Sequence, residues 1–280
     1  MRAAVVGHLE WVEFVRVDHV PRAGEIVHAT GWWAAPAGGG AGTAAQLARL
    51  TERTVFYTAV GNDELGRASI EALRDLGIDV QAVVRDEPTR RGFSLVDRSG
   101  ERTITVLGER LGPTIDDPLP WADLADTDAV YITAGDPGAV RAARSAGVVV
   151  ATARALPLLR DAAVELDALV GSGDDPSETY HPGDLDPPPR LVVRTQGSQG
   201  GTVQPRGEEE FSYAAAPLPG PIVDRYGAGD AFAGGLAFAL AAGRGPAAAV
   251  AFGARCSAAV LTGAGPYAGQ VSLQEIEAWT

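Results

Sequence analysis

Short apolar runs recur along the middle of the chain, and a segment with helical character separates each run from the next. The runs lie at residues 129–132, 148–150 and 166–170, and a further one begins the chain at residues 3–7. An uninterrupted apolar run is typical of a strand that is buried on both faces, as in a parallel sheet covered by helices on both sides. The alternation therefore predicts an α/β fold with a mostly parallel central sheet.

Two separated segments in the N-terminal half show the alternation of a half-exposed sheet instead. The first starts near Trp11 and includes a predicted strand at residues 26–29. The second is a hairpin of residues 90–96 and 102–106 around a polar turn. We expect these segments to form a small β element beside the α/β core. The acidic, proline-rich residues 173–190 are predicted to form a loop.

The chain of 280 residues contains no lysine, because all 23 of its basic residues are arginine. This excludes P-loop enzymes, protein kinases and Schiff-base enzymes, each of which needs a lysine. The net charge of −13 argues against a nucleic-acid surface, which requires clustered basic charge. No apolar stretch reaches the ~20 residues of a membrane span. With a single cysteine, Cys256, the composition favours a cytoplasmic protein that binds no membrane.

The most informative motif is Asp-Arg-Tyr-Gly-Ala-Gly-Asp at residues 224–230, directly before an apolar helix. The small residues Gly227, Ala228 and Gly229 let backbone N–H groups approach an anion at the positive end of the helix dipole. Asp230 would face the same point, and a carboxylate beside an anion hole suits phosphoryl transfer to an alcohol. The dipole is expected to keep Asp230 ionised. The alternative role for Asp230 is a simple helix cap.

Two other glycine-rich segments are candidate ligand sites. Residues 195–201 lie between two predicted strands, where glycines and small polar residues could hold phosphates, although an ordinary hairpin loop explains them equally well. Residues 38–42 precede a helix that is predicted to begin near Thr43. They are either a ligand platform or a flexible turn.

The order of these motifs resembles the ribokinase-like (PfkB) family of sugar kinases, from Val5 to about Pro266. The shared elements are an early glycine cluster, a hairpin that ends in Gly-Glu-Arg-Thr, Thr-x-Gly-x-x-Gly and Asp-x-x-Gly-Ala-Gly-Asp. The resemblance implies a three-layer sandwich in one domain over residues 1–280, with a small β lid formed by residues 10–34 and 89–107. Such a lid has exposed edges, which favours a homodimer through the lid.

The resemblance also implies roles for individual residues. Asp230 would be the general base, with the anion hole at residues 227–229. The ATP-binding residues would be Thr195, Gly197, Gly200 and Asp224. Asp224 would also lie beside a loop that can bind a monovalent cation. Mg²⁺ would accompany ATP, and Asp175 is the one carboxylate that remains of the family's metal-linked motif.

The substrate end departs from the family pattern. Val12 and Gly42 occupy the positions of a sugar-binding aspartate and asparagine. The candidate substrate-binding residues are early glycines and carboxylates near predicted strand ends: Gly38, Gly39, Gly42, Glu10, Glu13 and Asp136. Each of these carboxylates could equally be a solvated loop residue.

Two functions from different classes follow. The first is a carbohydrate kinase that moves the γ-phosphate of ATP to a hydroxyl of a sugar or nucleoside-like substrate. The second is a nucleotide-binding relative with little kinase activity that acts as a regulatory or interaction module. The lost sugar ligands motivate the second function, and the complete motif at residues 227–230 argues against it. A Rossmann-type oxidoreductase is disfavoured, because Thr43 stands where the dinucleotide fingerprint has its third small residue.

Overall fold

The computed structural model describes residues 1–279 and forms two β-sheets with helices around the larger one. The strands are β1 (Arg2–Val6), β2 (Glu10–Arg16), β3 (Gly31–Ala37), β4 (Arg53–Gly61), β5 (Asp79–Arg85), β6 (Arg91–Val96), β7 (Arg102–Leu107), β8 (Ala129–Ile132), β9 (Val148–Thr152), β10 (Ala168–Ser172), β11 (Leu191–Thr195), β12 (Gly201–Pro205) and β13 (Phe211–Tyr213). The α-helices are α1 (Gly39–Leu50), α2 (Glu64–Asp75), α3 (Pro137–Ala143), α4 (Leu156–Ala162), α5 (Ala228–Ala241), α6 (Pro246–Val260) and α7 (Leu273–Ala278).

The larger sheet has the strand order β13-β12-β11-β10-β9-β8-β1-β4-β5. The strands from β11 to β5 pair in parallel, and β12 and β13 add an antiparallel edge. The apolar runs of the sequence form β1, β8, β9 and β10, which are neighbours in the middle of this sheet. The predicted mostly parallel α/β sheet is confirmed.

Helices cover both faces of the larger sheet, and β1 shows how the side chains divide between them. Ala3 and Val5 pack in a core with α1, α5 and α6. Ala4 and Val6 point the other way, into a core with α3 and α4. Successive side chains of a strand alternate between faces, so one short apolar run supplies both cores and produces the three layers.

The smaller sheet has the order β3-β2-β6-β7. Its centre is a parallel pairing of β2 with β6, which joins two segments far apart in the chain. Phe14 stacks on Trp33 with ring centroids 5.2 Å apart and meets the edge of Tyr226 at 4.9 Å. Tyr226 lies just before α5, so these contacts fix the smaller sheet against the start of that helix.

Two local predictions are wrong. The strand predicted at residues 26–29 is a loop in which Ile26 is 87% exposed, because β2 pairs with residues 31–37 instead. Helix α1 begins at Gly39 rather than near Thr43, since Gly38 at φ +89° provides the turn that starts it. The predicted loop at residues 173–190 is irregular except for a short 3₁₀ helix, Pro176–Glu178.

Cys256 is buried where α5 and α6 touch. A Cβ atom at Gly235 would lie 2.6 Å from its Sγ atom, so the two helices approach closely only because residue 235 lacks a side chain. Over residues 1–279, no helix combines the length and apolar character needed to cross a bilayer.

Candidate active site

A cleft of about 1280 Å³ opens at the carboxyl ends of the parallel strands, next to the smaller sheet. Its walls include the residues that follow or end five neighbouring strands: His8, Thr133, Arg154, Ser172 and Thr195. In open α/β sheets, ligands bind at this edge, because loops from several strands converge there. The volume exceeds that of an ordinary single-ligand pocket and suits two ligands side by side.

The start of α5 forms an anion-binding turn in this cleft. Gly227 caps the helix in the left-handed conformation at φ 82°, and no side chain caps it. Within residues 1–279, the N–H groups of Ala228, Gly229 and Asp230 have no hydrogen-bond partner. A Cβ atom at Gly229 would meet nothing within 4 Å, so its face of the turn is open to the cleft. The turn can therefore present several N–H groups and the helix dipole to an anion.

The carboxylate of Asp230 is held between α5 and the first turn of α1. A Cβ atom at Gly42 would lie 2.7 Å from Oδ2, and one at Gly39 would lie 3.4 Å from Oδ1. The hydroxyl of Thr43 donates a hydrogen bond to the backbone oxygen of Asp230 at 3.2 Å. Gly38 and Gly39 line the cleft, whereas Gly42 lies behind the carboxylate. The expectation that Gly42 binds substrate is corrected, because its missing side chain makes room for Asp230.

The electrostatic surroundings of Asp230 also differ from the expectation. Burial raises the pKa of its carboxyl group to about 6, and Glu10 and Glu178 add to the rise. Arg102 and Arg154 oppose it. The dipole was expected to favour the ionised form, but desolvation in the cleft outweighs it. A carboxylate with a pKa just below neutral pH is a stronger proton acceptor than a solvated one and is still ionised at pH 7.

The far end of the cleft is a slot lined by Thr195, Gly197 and Gly200, whose role in binding ATP stays a prediction. Gly200 has φ +83°, and a Cβ atom there would lie 2.0 Å from the Tyr213 carbonyl oxygen, so only glycine fits. Helix α6 and the residue that follows it supply a wall of small and apolar side chains: Ala254, Ser257, Ala258 and Leu261. The segment of residues 195–201 therefore both connects β11 to β12 and lines the cleft.

Asp224 does not line the cleft, which corrects its assignment as a nucleotide contact. Its side chain is fully buried. The backbone N–H groups of Tyr226 and Gly265 donate to its two oxygens, each at 2.9 Å. Both oxygens are thus used to hold the loop that precedes α5 in place, so Asp224 positions the anion-binding turn from behind.

The predicted metal ligand, Asp175, lies on the wall of the cleft and pairs with Arg154 at 2.8 Å. Arg154 also pairs with Glu178, whose carboxylate accepts the N–H of Ser172 at 2.9 Å. Glu178 escaped the sequence analysis because it lies beyond the motif, in a short 3₁₀ helix within the predicted loop. No group of three or more His, Cys, Asp or Glu ligands exists within residues 1–279. Asp175 and Glu178 both line the cleft, and an Mg²⁺ ion bound mainly through phosphates needs only one or two protein carboxylates.

Two predicted substrate residues lie outside the cleft. Along β2, Glu10 faces the cleft and Glu13 points to the opposite face, where it pairs with Arg91 at 2.7 Å. The period of two in a strand separates them. Asp136 caps α3 and accepts the N–H groups of Ala139 and Ile115, both at 2.9 Å. The assignments of Glu13 and Asp136 as substrate-binding residues are therefore corrected, because both side chains are used outside the cleft.

The remaining end of the cleft is built around His8 and Glu10. The His8 N–H donates to Thr133 Oγ1 at 3.3 Å, and the same hydroxyl lies 3.2 Å from His8 Nδ1. Burial lowers the pKa of His8 to about 3, so its imidazole is neutral. Burial raises the pKa of Glu10, while Arg90, whose Nε lies 3.2 Å from Glu10 Oε2, counteracts this.

Sequence analysis missed His8, Arg90 and Arg110 at this end. Like His8 and Arg90, Arg110 lines the cleft. Arg90 is the first residue of the predicted hairpin and Arg110 follows its second strand, so their positions at the base of the hairpin were the available signal.

The sequence matches the family described as pfkB family carbohydrate kinase over residues 2–164 and 163–272. It is 30% identical over 262 residues to an ATP-dependent ribose-1-phosphate kinase from Halopiger xanaduensis, and the alignment covers 84% of this chain and 83% of that protein. A solved ribokinase from Thermotoga maritima has a TM-score of 0.77 at 23% identity, covering 99% of this chain and 98% of that one. Arabidopsis thaliana ribokinase, solved with ribose and ATP, has a TM-score of 0.76 at 21% identity, with coverages of 99% and 97%.

Proposed function

Because the chain belongs to the PfkB family of carbohydrate kinases, we propose that it transfers the γ-phosphate of ATP to a hydroxyl of a sugar-like substrate. One observation carries the proposal. The Asp230 carboxylate and the unpartnered N–H groups that start α5 face the same cleft. They lie between the slot lined by residues 195–200 and the end of the cleft that contains His8 and Glu10. Relatives whose names refer to ribose and to ribose 1-phosphate support a sugar-like acceptor.

In the proposed reaction, Asp230 accepts the proton of the attacking hydroxyl. The hydroxyl oxygen forms a bond to the γ-phosphorus while the bond from that phosphorus to the β–γ bridging oxygen breaks, and ADP leaves with the electron pair. The unpartnered N–H groups of Ala228, Gly229 and Asp230 would stabilise the charge that develops on the phosphoryl oxygens. Since no protein group donates to the Asp230 carboxylate within residues 1–279, it remains available to the substrate.

Positive charge at the transferred group must come from sources other than lysine, which this chain lacks. Arg102 and Arg154 are the cations that act on Asp230, and we assign them this role together with the backbone amides. Asp174, Asp175 and Glu178 would hold Mg²⁺ through the nucleotide phosphates, and the ion would neutralise phosphate charge. We propose that ATP occupies the slot between Thr195, Gly200 and α6.

Four further features belong to the proposal. The smaller sheet would act as a lid, since Arg102, Ile104 and Val106 of β7 line the cleft. Its outer strands β3 and β7 have unpaired edges, and Trp32 on β3 is 71% exposed, which supports a homodimer through this sheet. A monovalent cation near Asp224 would lie beside a carboxylate whose two oxygens each already accept one N–H group. Dependence on ATP favours a cytoplasmic location.

The proposal is tested by ADP release in a coupled assay with ATP, Mg²⁺ and a panel of pentoses, hexoses, nucleosides and their phosphates. At least one acceptor should raise ADP release well above the rate without acceptor, and Asp230→Asn should abolish that increase. The matched control, Glu71→Gln, changes an exposed carboxylate on α2 and should leave it intact. If ATP raises the melting temperature but no acceptor raises ADP release, the regulatory or interaction module is the better account.

A further inference from the structure

The end of the cleft around His8 and Glu10, called the acceptor end here, contains two guanidinium groups that the proposed phosphoryl transfer does not use. Arg90 directly precedes β6 and Arg110 follows β7, so both lie at the base of one hairpin. Both line the cleft with His8 and Glu10. Arg110 has no hydrogen bond to a carboxylate within residues 1–279, and Glu10 acts on it only through space.

Arg90 is incompletely satisfied as well. Its Nε atom lies 3.2 Å from Glu10 Oε2, but the geometry is not that of a hydrogen bond, and this buried N–H has no partner among residues 1–279. Glu10 is thus a single carboxylate that faces two guanidinium groups. A buried donor without a partner costs free energy unless a ligand supplies an acceptor.

These arginines are separate from those at the reacting carboxylate. Arg102 and Arg154 act on Asp230, whereas Arg90 and Arg110 act on Glu10. Arg154 also acts on His8 and on Arg110, so its charge reaches both ends of the cleft, whereas Arg102 acts at the reacting carboxylate.

His8 adds a neutral donor at the acceptor site. Thr133 Oγ1 accepts the backbone N–H of His8, which leaves the hydroxyl proton free to bond Nδ1. The tautomer that this favours carries its proton on Nε2, on the part of the ring that lies against the cleft-lining Gly38. One imidazole N–H and two guanidinium groups match the several acceptor oxygens of a phosphate.

We propose that Arg90, Arg110 and the Nε2–H of His8 bind a phosphate group on the acceptor, so that the substrate is a sugar phosphate. This inference rests on the proposed kinase function and names its substrate class. A phosphomonoester carries a charge of about −1.5 to −2 at pH 7. In a chain with a net charge of −13, such an anion needs a local cationic site to bind.

Kinetics with matched acceptor pairs test the substrate class. The pairs are ribose 1-phosphate with ribose and fructose 6-phosphate with fructose. We expect at least one phosphorylated member to have a kcat/KM roughly 100-fold above that of its free sugar. Arg110→Gln and Arg90→Gln should each raise its KM by roughly 30-fold while KM for ATP stays unchanged. The control is Arg91→Gln, one residue along β6, where the side chain pairs with Glu13 outside the cleft. Equal or better use of the free sugars would overturn the proposal.

Binding without turnover separates this proposal from the kinase function. Isothermal titration of the four acceptors is done with a saturating non-hydrolysable ATP analogue, whose γ-phosphoryl group would occupy the anion-binding turn, and with no ATP present. A sugar phosphate should bind, and Arg110→Gln should weaken its binding by roughly 10-fold without lowering the melting temperature. Should this pattern appear without any ADP release in the assay, the anion site stands and the kinase function fails. Absence of sugar-phosphate binding, or unchanged binding in both arginine variants, refutes the site even if a free sugar is phosphorylated.

Discussion

Replacing Asp230 by asparagine should stabilise the protein while it removes activity. The pKa of Asp230 rises from 3.8 to about 6 on folding, chiefly through burial. At about 1.36 kcal/mol per unit, this difference of about 2.2 units sets an upper limit of about 3 kcal/mol. We expect about 2 kcal/mol, because the side chain is partly exposed and solvent screens it. For a chain of this size, that corresponds to a rise in melting temperature of about 4 °C.

The pH dependence of this stabilisation has a definite sign. A raised carboxyl pKa means that the folded protein binds the proton more tightly than the unfolded chain does, so wild-type stability falls as pH rises from about 4 to about 6. The advantage of Asp230→Asn should therefore be complete at pH 8, roughly half as large at pH 5, and roughly a fifth as large at pH 4.

Thermal unfolding without nucleotide, followed by circular dichroism at these three pH values, measures the effect. Glu71→Gln, an exposed change of the same chemical type on α2, should shift nothing. A variant that is less stable than wild type at pH 8, or an advantage that does not shrink at low pH, would refute the burial of Asp230 as the cause.

Further expectations concern the turn, the helix contact, pH and the metal. Gly229→Ala adds a methyl group to open space in the cleft, so it should fold normally yet lower kcat/KM by roughly 100-fold. Gly245→Ala, equally open but outside the cleft, is its control in the same kinetic assay. Gly42→Ala places Cβ 2.7 Å from Asp230 Oδ2, so kcat should fall while the ATP affinity, measured by titration, is kept. The pH profile of kcat/KM should rise to a plateau above pH about 6 as Asp230 ionises. EDTA should abolish ADP release, and added Mg²⁺ should restore it.

The sheet was predictable because burial on both faces leaves a direct mark on the sequence. The runs that became β8, β9 and β10 are apolar at nearly every position, which few other environments require. Helix α1 was harder, since glycines at positions 39, 40 and 42 disfavour a helix by intrinsic propensity. Tertiary packing explains the glycine at position 42, because Gly42 lies against Asp230, a residue far along the chain.

The acidic residues of the site show what a pattern cannot reveal. Glu10 and Glu13 look alike in sequence, and only the pairing of β2 decides that the first faces the cleft and the second faces Arg91. Asp136 follows a strand as a ligand would, yet it caps α3. The raised pKa of Asp230 depends on burial by distant elements, which local sequence does not encode.

The central claim is that the Asp230 carboxylate accepts the substrate proton. Its most direct measurement is kcat of Asp230→Asn with a saturating acceptor, alongside the dissociation constant for ATP. We predict a loss of roughly 10²- to 10⁴-fold in kcat, the range typical of a general base, with ATP binding essentially unchanged. Turnover that stays within a few-fold of wild type would contradict the claim.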